Sequence, residues 1–140
     1  MHLRLFNVGK LSLKTLAPLI EAYTGRIAHY LPIQIETFKS SEEGLKQLKP
    51  ADFLVVLDER GKSFTSVGFA KWMEEKKLHA AKSLVFMVGP GEGFSEAIKK
   101  RANLLLRLSD MTLQHELAQV VLLEQLYRAC TILKGEPYHK

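Results

Sequence analysis

Three stretches of this sequence carry residues that could do chemistry. Gly89-Pro90-Gly91-Glu92-Gly93 places three glycines in five residues, directly after the apolar run Ser83-Leu84-Val85-Phe86-Met87-Val88. Glycine lets backbone approach a ligand closely or take positive φ angles, and ligands of open α/β sheets sit beyond the carboxyl ends of strands. The same loop would also serve as a plain strand-to-helix turn. Its spacing is not Gly-x-Gly-x-x-Gly, so a dinucleotide fingerprint is unsupported. The second stretch, Asp58-Glu59-Arg60-Gly61-Lys62-Ser63, ends in Gly-Lys-Ser like a phosphate-binding loop. That loop needs a glycine five positions before Gly61, where this chain has Val56, so it reads as a strand–turn–helix connection. The third is the tail Glu136-Pro137-Tyr138-His139-Lys140, a short polar ending of the kind that in most chains simply frays. There Tyr138 could stack on a base, His139 could take or relay a proton, and Lys140 could meet a phosphate.

Other chemistries are poorly served. The histidines His2, His29, His79, His115 and His139 show no His-Glu-x-x-His pattern or compact cluster, so no metal is expected. The single cysteine, Cys130, excludes an intramolecular disulfide and a Cys-based zinc cluster, and it reads as a small core residue. No Gly-x-Ser-x-Gly elbow or kinase signature is present. Lys and Arg number 20 against 15 Asp and Glu, a net charge of +5, which favours a polyanionic partner. No apolar run approaches the roughly 18–20 residues that span a bilayer. The start, His2 to Val8, alternates like a strand rather than a signal peptide. A cytoplasmic protein without a membrane partner is expected.

The elements that must position these residues alternate along the chain. His2–Val8 reads as a strand, Gly9–Leu11 as a turn, and a helix capped by Ser12 or Thr15 runs to about Tyr30 with Leu16, Leu19, Ile20, Tyr23 and Ile27 at helical spacing. Ile33–Phe38 is a second strand, and Ser41, Glu42 and Glu43 open a short helix. Phe53–Leu57 is a continuous apolar run of the kind a parallel sheet covers on both faces, and Glu59–Lys62 is read as a turn. Ser63, Thr65 or Ser66 caps a helix with Phe69, Trp72 and Met73. Ser83–Val88 repeats the buried pattern, Ser95 caps a short basic helix, and Leu104–Leu108 is the last strand. A helix follows from about His115 to Leu133, with Gly135 as its C-terminal cap and Pro137 preventing continuation. It is apolar on most sides, with Glu124 and Arg128 able to pair at i, i+4. Such a helix needs cover from two directions, one the sheet and the other a second subunit, with Leu122 or Leu126 as interface positions. One α/β domain over residues 1–140, with a mostly parallel sheet and helices on both faces, is expected.

Leu108-Ser109-Asp110-Met111-Thr112-Leu113-Gln114-His115, Leu123-Glu124-Gln125-Leu126-Tyr127-Arg128-Ala129 and Gly135-Glu136-Pro137-Tyr138-His139-Lys140 resemble the C-terminal signature of the bacterial large-subunit rRNA pseudouridine N3-methyltransferase family, of the SPOUT superfamily. The resemblance extends over the chain, through the Val8-Gly9-Lys10 start, the Leu57-Asp58 to Gly61-Lys62 turn and the glycine loop. It implies a C-terminal trefoil knot, a homodimer, S-adenosyl-methionine as cofactor and 23S rRNA within the ribosome as partner. The cofactor pocket it implies is Leu57, Gly89, Leu108, Ser109, Asp110, Met111, Thr112 and Leu113, with His115, His139 and Tyr138 as catalytic candidates. The chain departs from the family in a shortened 40–49 region, at Val88-Gly89-Pro90 where members often have Ile-Gly-Gly, with Gly91 one step later, and at Gln119 where several have arginine. A non-catalytic RNA- or ribosome-binding module and a flavodoxin-like binding protein are the alternatives of the same charge and strand–helix alternation.

Overall fold

The computed structural model describes residues 1–9, 14–79, 82–90 and 93–140. The expected turn past Gly9, the Ser12 cap, and Gly91 and Glu92 of the glycine loop lie outside them. Five strands, β1 (His2–Val8), β2 (Ile33–Phe38), β3 (Phe53–Lys62), β4 (Ser83–Val88) and β5 (Leu104–Leu106), form one all-parallel sheet in the order β2-β1-β4-β3-β5. The helices are α1 (Ala17–Ala28), α2 (Ser41–Leu45), α3 (Ser66–Leu78), α4 (Glu96–Arg101) and α5 (His115–Leu133).

The apolar runs behave as two-sided strands. Residues 3 and 5 of β1, 55 of β3 and 84, 86 and 88 of β4 pack with Ile27 of α1, Phe69 and Met73 of α3, and Leu122, Leu123 and Leu126 of α5. The intervening residues Phe6, Val8, Leu54, Val56, Val85 and Met87 pack with Ile98 of α4 and Leu45 of α2 on the other face. The period of two therefore divides one sheet between two cores, with three helices on one face and two short ones on the other.

Local chemistry sets the helix ends. Thr65 Oγ1 accepts from Gly68 N at 3.0 Å and Ser40 Oγ from Glu43 N at 3.2 Å, each satisfying a free donor of the first turn. Pro18 sits in the first turn of α1, where its missing N–H costs nothing, and a 3₁₀ turn at Lys14–Leu16 precedes it. Gln114 Oε1 caps α5 by accepting from Glu116 N (3.0 Å) and Leu117 N (2.9 Å). At its far end Gly135, at φ +69°, donates to Ile132 O while Glu136 N donates to Thr131 O. That pair of bonds is a Schellman motif, and it turns the tail back along the helix.

Four expectations change. Thr15 does not cap α1: it lies within the preceding 3₁₀ turn, and the helix enters through Leu16 with no side-chain cap. Glu59–Lys62 is not a plain turn: β3 continues to Lys62, and Leu106 of β5 is aligned with both Leu57 and Lys62. Asp58 Oδ1 accepts from Arg60 N at 2.7 Å, so the carboxylate closes a bulge and the strand resumes beyond it. β5 is only Leu104–Leu106, and Leu108 belongs to the loop after it. Leu122 and Leu126 are 0% and 1% exposed in the core, because α1 and α3 flank α5 on the sheet and supply much of its second cover. The apolar α5 residues left open are Leu117 and Leu133. Among the described residues no helix is long and apolar enough to cross a membrane, and no group of three His, Cys, Asp or Glu could hold a metal.

Candidate functional site

The bulged segment 57–60 of β3, the carboxyl ends of β4 and β5 and the N-terminus of α5 line a cavity of about 510 Å³. This lies within the size of small-molecule pockets, roughly 300–1,000 Å³. Sequence reasoning expected ligand chemistry there, and the structure brings Leu57, Gly89, Leu108, Ser109, Met111, Thr112 and Leu113 together on its wall, with His115 beside them. Asp110 is absent from the lining: its side chain is 86% exposed and accepts an ion pair from Arg107 Nη1 at 3.1 Å. Met111 stands at the rim, 79% exposed. Ser109 Oγ accepts from Met111 N at 3.0 Å, a local turn within the loop that lines the cavity.

Gly89 has a local steric reason. A Cβ built there would lie 2.4 Å from Cζ of Phe94, which also lines the cavity, so only glycine fits between the end of β4 and that ring. Gly61 is less forgiving, since a Cβ would meet backbone rather than a side chain, that of Leu105 at 2.5 Å and of Leu106 at 2.7 Å. The resumed β3 strand thus crosses hard against β5, beside the cavity.

Sequence reasoning missed the charges. Lys99 of α4 lines the cavity and pairs with Asp58 at 3.7 Å. Arg107 lines it as well; its Nη2 donates to Ser63 Oγ at 3.3 Å, while its Nε is buried with no partner among the described residues. The only signal was the basic helix after the glycine loop. His115 Nε2 lies 3.7 Å from Oε1 of the fully buried Glu116. Apolar walls from Leu57, Leu108, Leu113 and Ala118, loop backbone, and both signs of charge suit a small amphipathic ligand. A buried guanidinium nitrogen without a partner is the kind of donor such a ligand satisfies.

Tyr138 and His139 are elsewhere. Ala118 is the last α5 residue on the cavity, and Arg128, which holds His139, lies ten residues further along, about 15 Å at 1.5 Å per residue. The tail is mounted on its own helices. Tyr138 Oη donates to Glu124 Oε1 at 3.1 Å, its ring meets Tyr127 edge-on at 4.7 Å, and the Arg128 guanidinium lies 4.9 Å from its centroid. Burial, with hydrogen bonds to Tyr23 and Glu124, pushes the Tyr138 phenol up to about 12. Tyr30 Oη donates to Glu136 Oε2 at 2.6 Å, and that hydrogen bond to a carboxylate raises Tyr30 to about 12. Arg128 donates through Nε to Glu124 Oε1 at 3.1 Å, which raises the guanidinium further and leaves it a fixed cation.

Comparison with known proteins agrees with this architecture. The family model described as "Predicted SPOUT methyltransferase" matches residues 1–139. A protein named ribosomal RNA large subunit methyltransferase H from Coprothermobacter proteolyticus is 42% identical over 140 residues, covering all of both chains. Proteins of the same name from Trichlorobacter lovleyi and Parabacteroides distasonis are 41% and 39% identical, each over 99% of both chains. A match over nearly the whole chain, with a glycine-lined cavity where parallel strands end, leads to one assignment: the chain belongs to the SPOUT methyltransferase family.

Proposed function

We propose that this chain, acting over residues 1–140 as one catalytic domain, transfers a methyl group from S-adenosyl-methionine to N3 of a pseudouridine in 23S rRNA of the large ribosomal subunit or assembled ribosome. The observation that carries the reading is the cavity itself: its lining joins Leu57, Gly89 and the 108–113 loop, and the relatives that share the chain end to end are named for large-subunit rRNA methylation. The bound donor would supply an activated sulfonium methyl. Leu57, Leu108 and Leu113 would cover its flat ring, loop backbone from Gly89 and 108–113 would meet its polar edge, and Lys99, Arg107 and Asp58 lie where charged ends need partners. Holding reactants in line supplies much of the rate when the leaving group is already activated. A ribosomal substrate places the protein in the cytoplasm. RNA would be held by phosphate contacts from surplus lysines and arginines, with the target base exposed in a loop.

The tail lies too far along α5 to reach its own cavity as mounted, so the reading includes a homodimer in which it completes the partner's site. The reading includes the C-terminal trefoil knot that the resemblance implies. Calorimetric titration with S-adenosyl-methionine separates an enzyme from an RNA-binding module: binding to the cavity is expected, and no heat at millimolar ligand contradicts the reading. A mixed dimer joining a tail-deleted chain to a cavity-disabled chain keeps one intact site if the tail acts across the interface, about half the activity. Complete loss places the tail in its own chain's site.

A further inference from the structure

The Glu124–Arg128–His139 cluster fixes something the reaction scheme leaves open. Arg128 Nη1 lies 3.1 Å from His139 Nδ1. A guanidinium has five N–H donors, no acceptor, and keeps its charge at any pH a protein survives. Arg128 is therefore the donor and Nδ1 the acceptor. Neutral imidazole carries one proton, so with Nδ1 accepting, that proton sits on Nε2. The guanidinium cannot turn away, because Glu124 accepts from its Nε and Nη2 and is itself held by Tyr138 Oη at 3.1 Å. Among the described residues, the charged and titratable groups packed around the tail include Glu124, Tyr127 and Arg128 from α5, Tyr23 and Arg26 from α1, Tyr30 just after it, and Tyr138 and Glu136 from the tail itself.

We propose that His139 meets the target uracil ring as a hydrogen-bond donor through Nε2–H, with Arg128 as the residue that sets this tautomer, and does not act as the base that takes the N3 proton. The inference rests on the methyltransferase reading above. A base needs a free lone pair, and in this mount His139 has spent its lone pair on Arg128 while Nε2 already bears hydrogen. Loss of the N3 proton leaves negative charge shared between N3 and the two flanking carbonyl oxygens. A fixed N–H aimed at one of those oxygens stabilises that charge as it forms, as an oxyanion donor does. The balance closes without a protein base. The N3–H bond breaks, its electron pair stays on the ring and the proton passes to water. The N3 pair then bonds the methyl carbon while the carbon–sulfur pair stays with sulfur. Arg128 touches neither base nor donor and is a positioning residue.

Two measurements test this on the full chain. With ¹⁵N-labelled histidine, two-bond proton–nitrogen correlation at mildly alkaline pH reads the His139 tautomer. Hydrogen on Nε2 is expected in the wild type and a mixture of tautomers in R128M. Hydrogen on Nδ1 in the wild type overturns the proposal, and so does a tautomer unmoved in R128M. Methyl transfer to purified ribosomes is then compared for wild type, H139Q and H139A between pH 6 and 9. Glutamine places an N–H near the position of Nε2 but cannot serve as a base. H139Q should stay within about tenfold of wild type, H139A should fall at least 100-fold, and the wild-type to H139Q ratio should hold constant with pH. H139Q falling to the H139A level overturns the donor role. So does a ratio that changes about tenfold per pH unit at the acid end, the mark of a titrating base. A wild type that transfers no methyl group overturns the underlying reading instead.

Discussion

Gly89 offers the sharpest perturbation of the cavity, because its neighbour is known to the atom. A Cβ at this position would sit 2.4 Å from Phe94 Cζ and 2.6 Å from Cε1. That is at least 1 Å short of ordinary carbon–carbon contact, about 3.5–4.0 Å. The strand end is buried and hydrogen-bonded in the sheet, so the ring must move. Phe94 packs on the core formed with Ile98 and Met87, and it also lines the cavity, so the open direction for the ring is into the ligand space. Overpacking of this size costs about 1–3 kcal/mol; the lower part of that range applies, because the nearest atom is a ring tip with open space beside it. G89A is therefore expected to stay folded, with a melting point a few degrees lower. Its S-adenosyl-methionine affinity by calorimetry should weaken at least tenfold, about 1.4 kcal/mol, and G89V should bind more weakly still. The double variant G89A/F94A should recover most of that affinity, since removing the ring removes the clash. G89A binding within twofold of wild type, or a double variant that binds no better than G89A, would refute the steric argument.

Other expectations follow from the same geometry. Tyr30 has a folded value of about 12 against an ordinary 10, so its contribution to stability is full below pH 10 and is lost as pH rises through 12. Y30F should remove one late component from the ultraviolet phenolate titration and flatten the loss of stability between pH 10 and 12; an unchanged titration contradicts the Glu136 contact. L117D, on the exposed part of α5, should lower the mass seen by light scattering while the chain stays folded, whereas L122D should unfold it; a wild-type mass of one chain at micromolar concentration contradicts the homodimer. Deleting Tyr138–Lys140 should leave folding and S-adenosyl-methionine binding intact and nearly abolish methyl transfer to ribosomes, and full activity of the truncated chain removes these residues from the site.

What the sequence could reveal follows from where each signal resides. The runs 53–57 and 84–88 read directly as two-sided strands because their residues are apolar on both faces of the sheet. The α5 cap at Gly135 and the Glu124–Arg128 pair are local rules of helix geometry and were equally plain. The continuation of β3 through Lys62 was hidden because Asp58 and Gly61 have turn chemistry, and only pairing with β5 makes that segment a strand. The contiguous 108–113 motif suggested one shared role, yet Asp110 turns to solvent, since neighbouring loop residues need not face the same way. Lys99 of α4 and Phe94 of the loop before it reach the cavity from outside the 108–113 segment, so no spacing announces them. The core burial of Leu122 and Leu126 depends on α1 and α3 both lying on the same sheet face, which periodicity does not encode.

The most direct test of the central claim is methylation of ribosomes from cells that lack the corresponding modification, using the purified chain and S-adenosyl-methionine labelled in its methyl group. The modified nucleotide is then mapped by mass spectrometry of nuclease fragments. The account predicts close to one labelled methyl per ribosome, on N3 of a single pseudouridine of the large-subunit RNA, and none with G89V. Label on another nucleotide or on the small subunit, or no transfer by a chain that binds S-adenosyl-methionine, would contradict it.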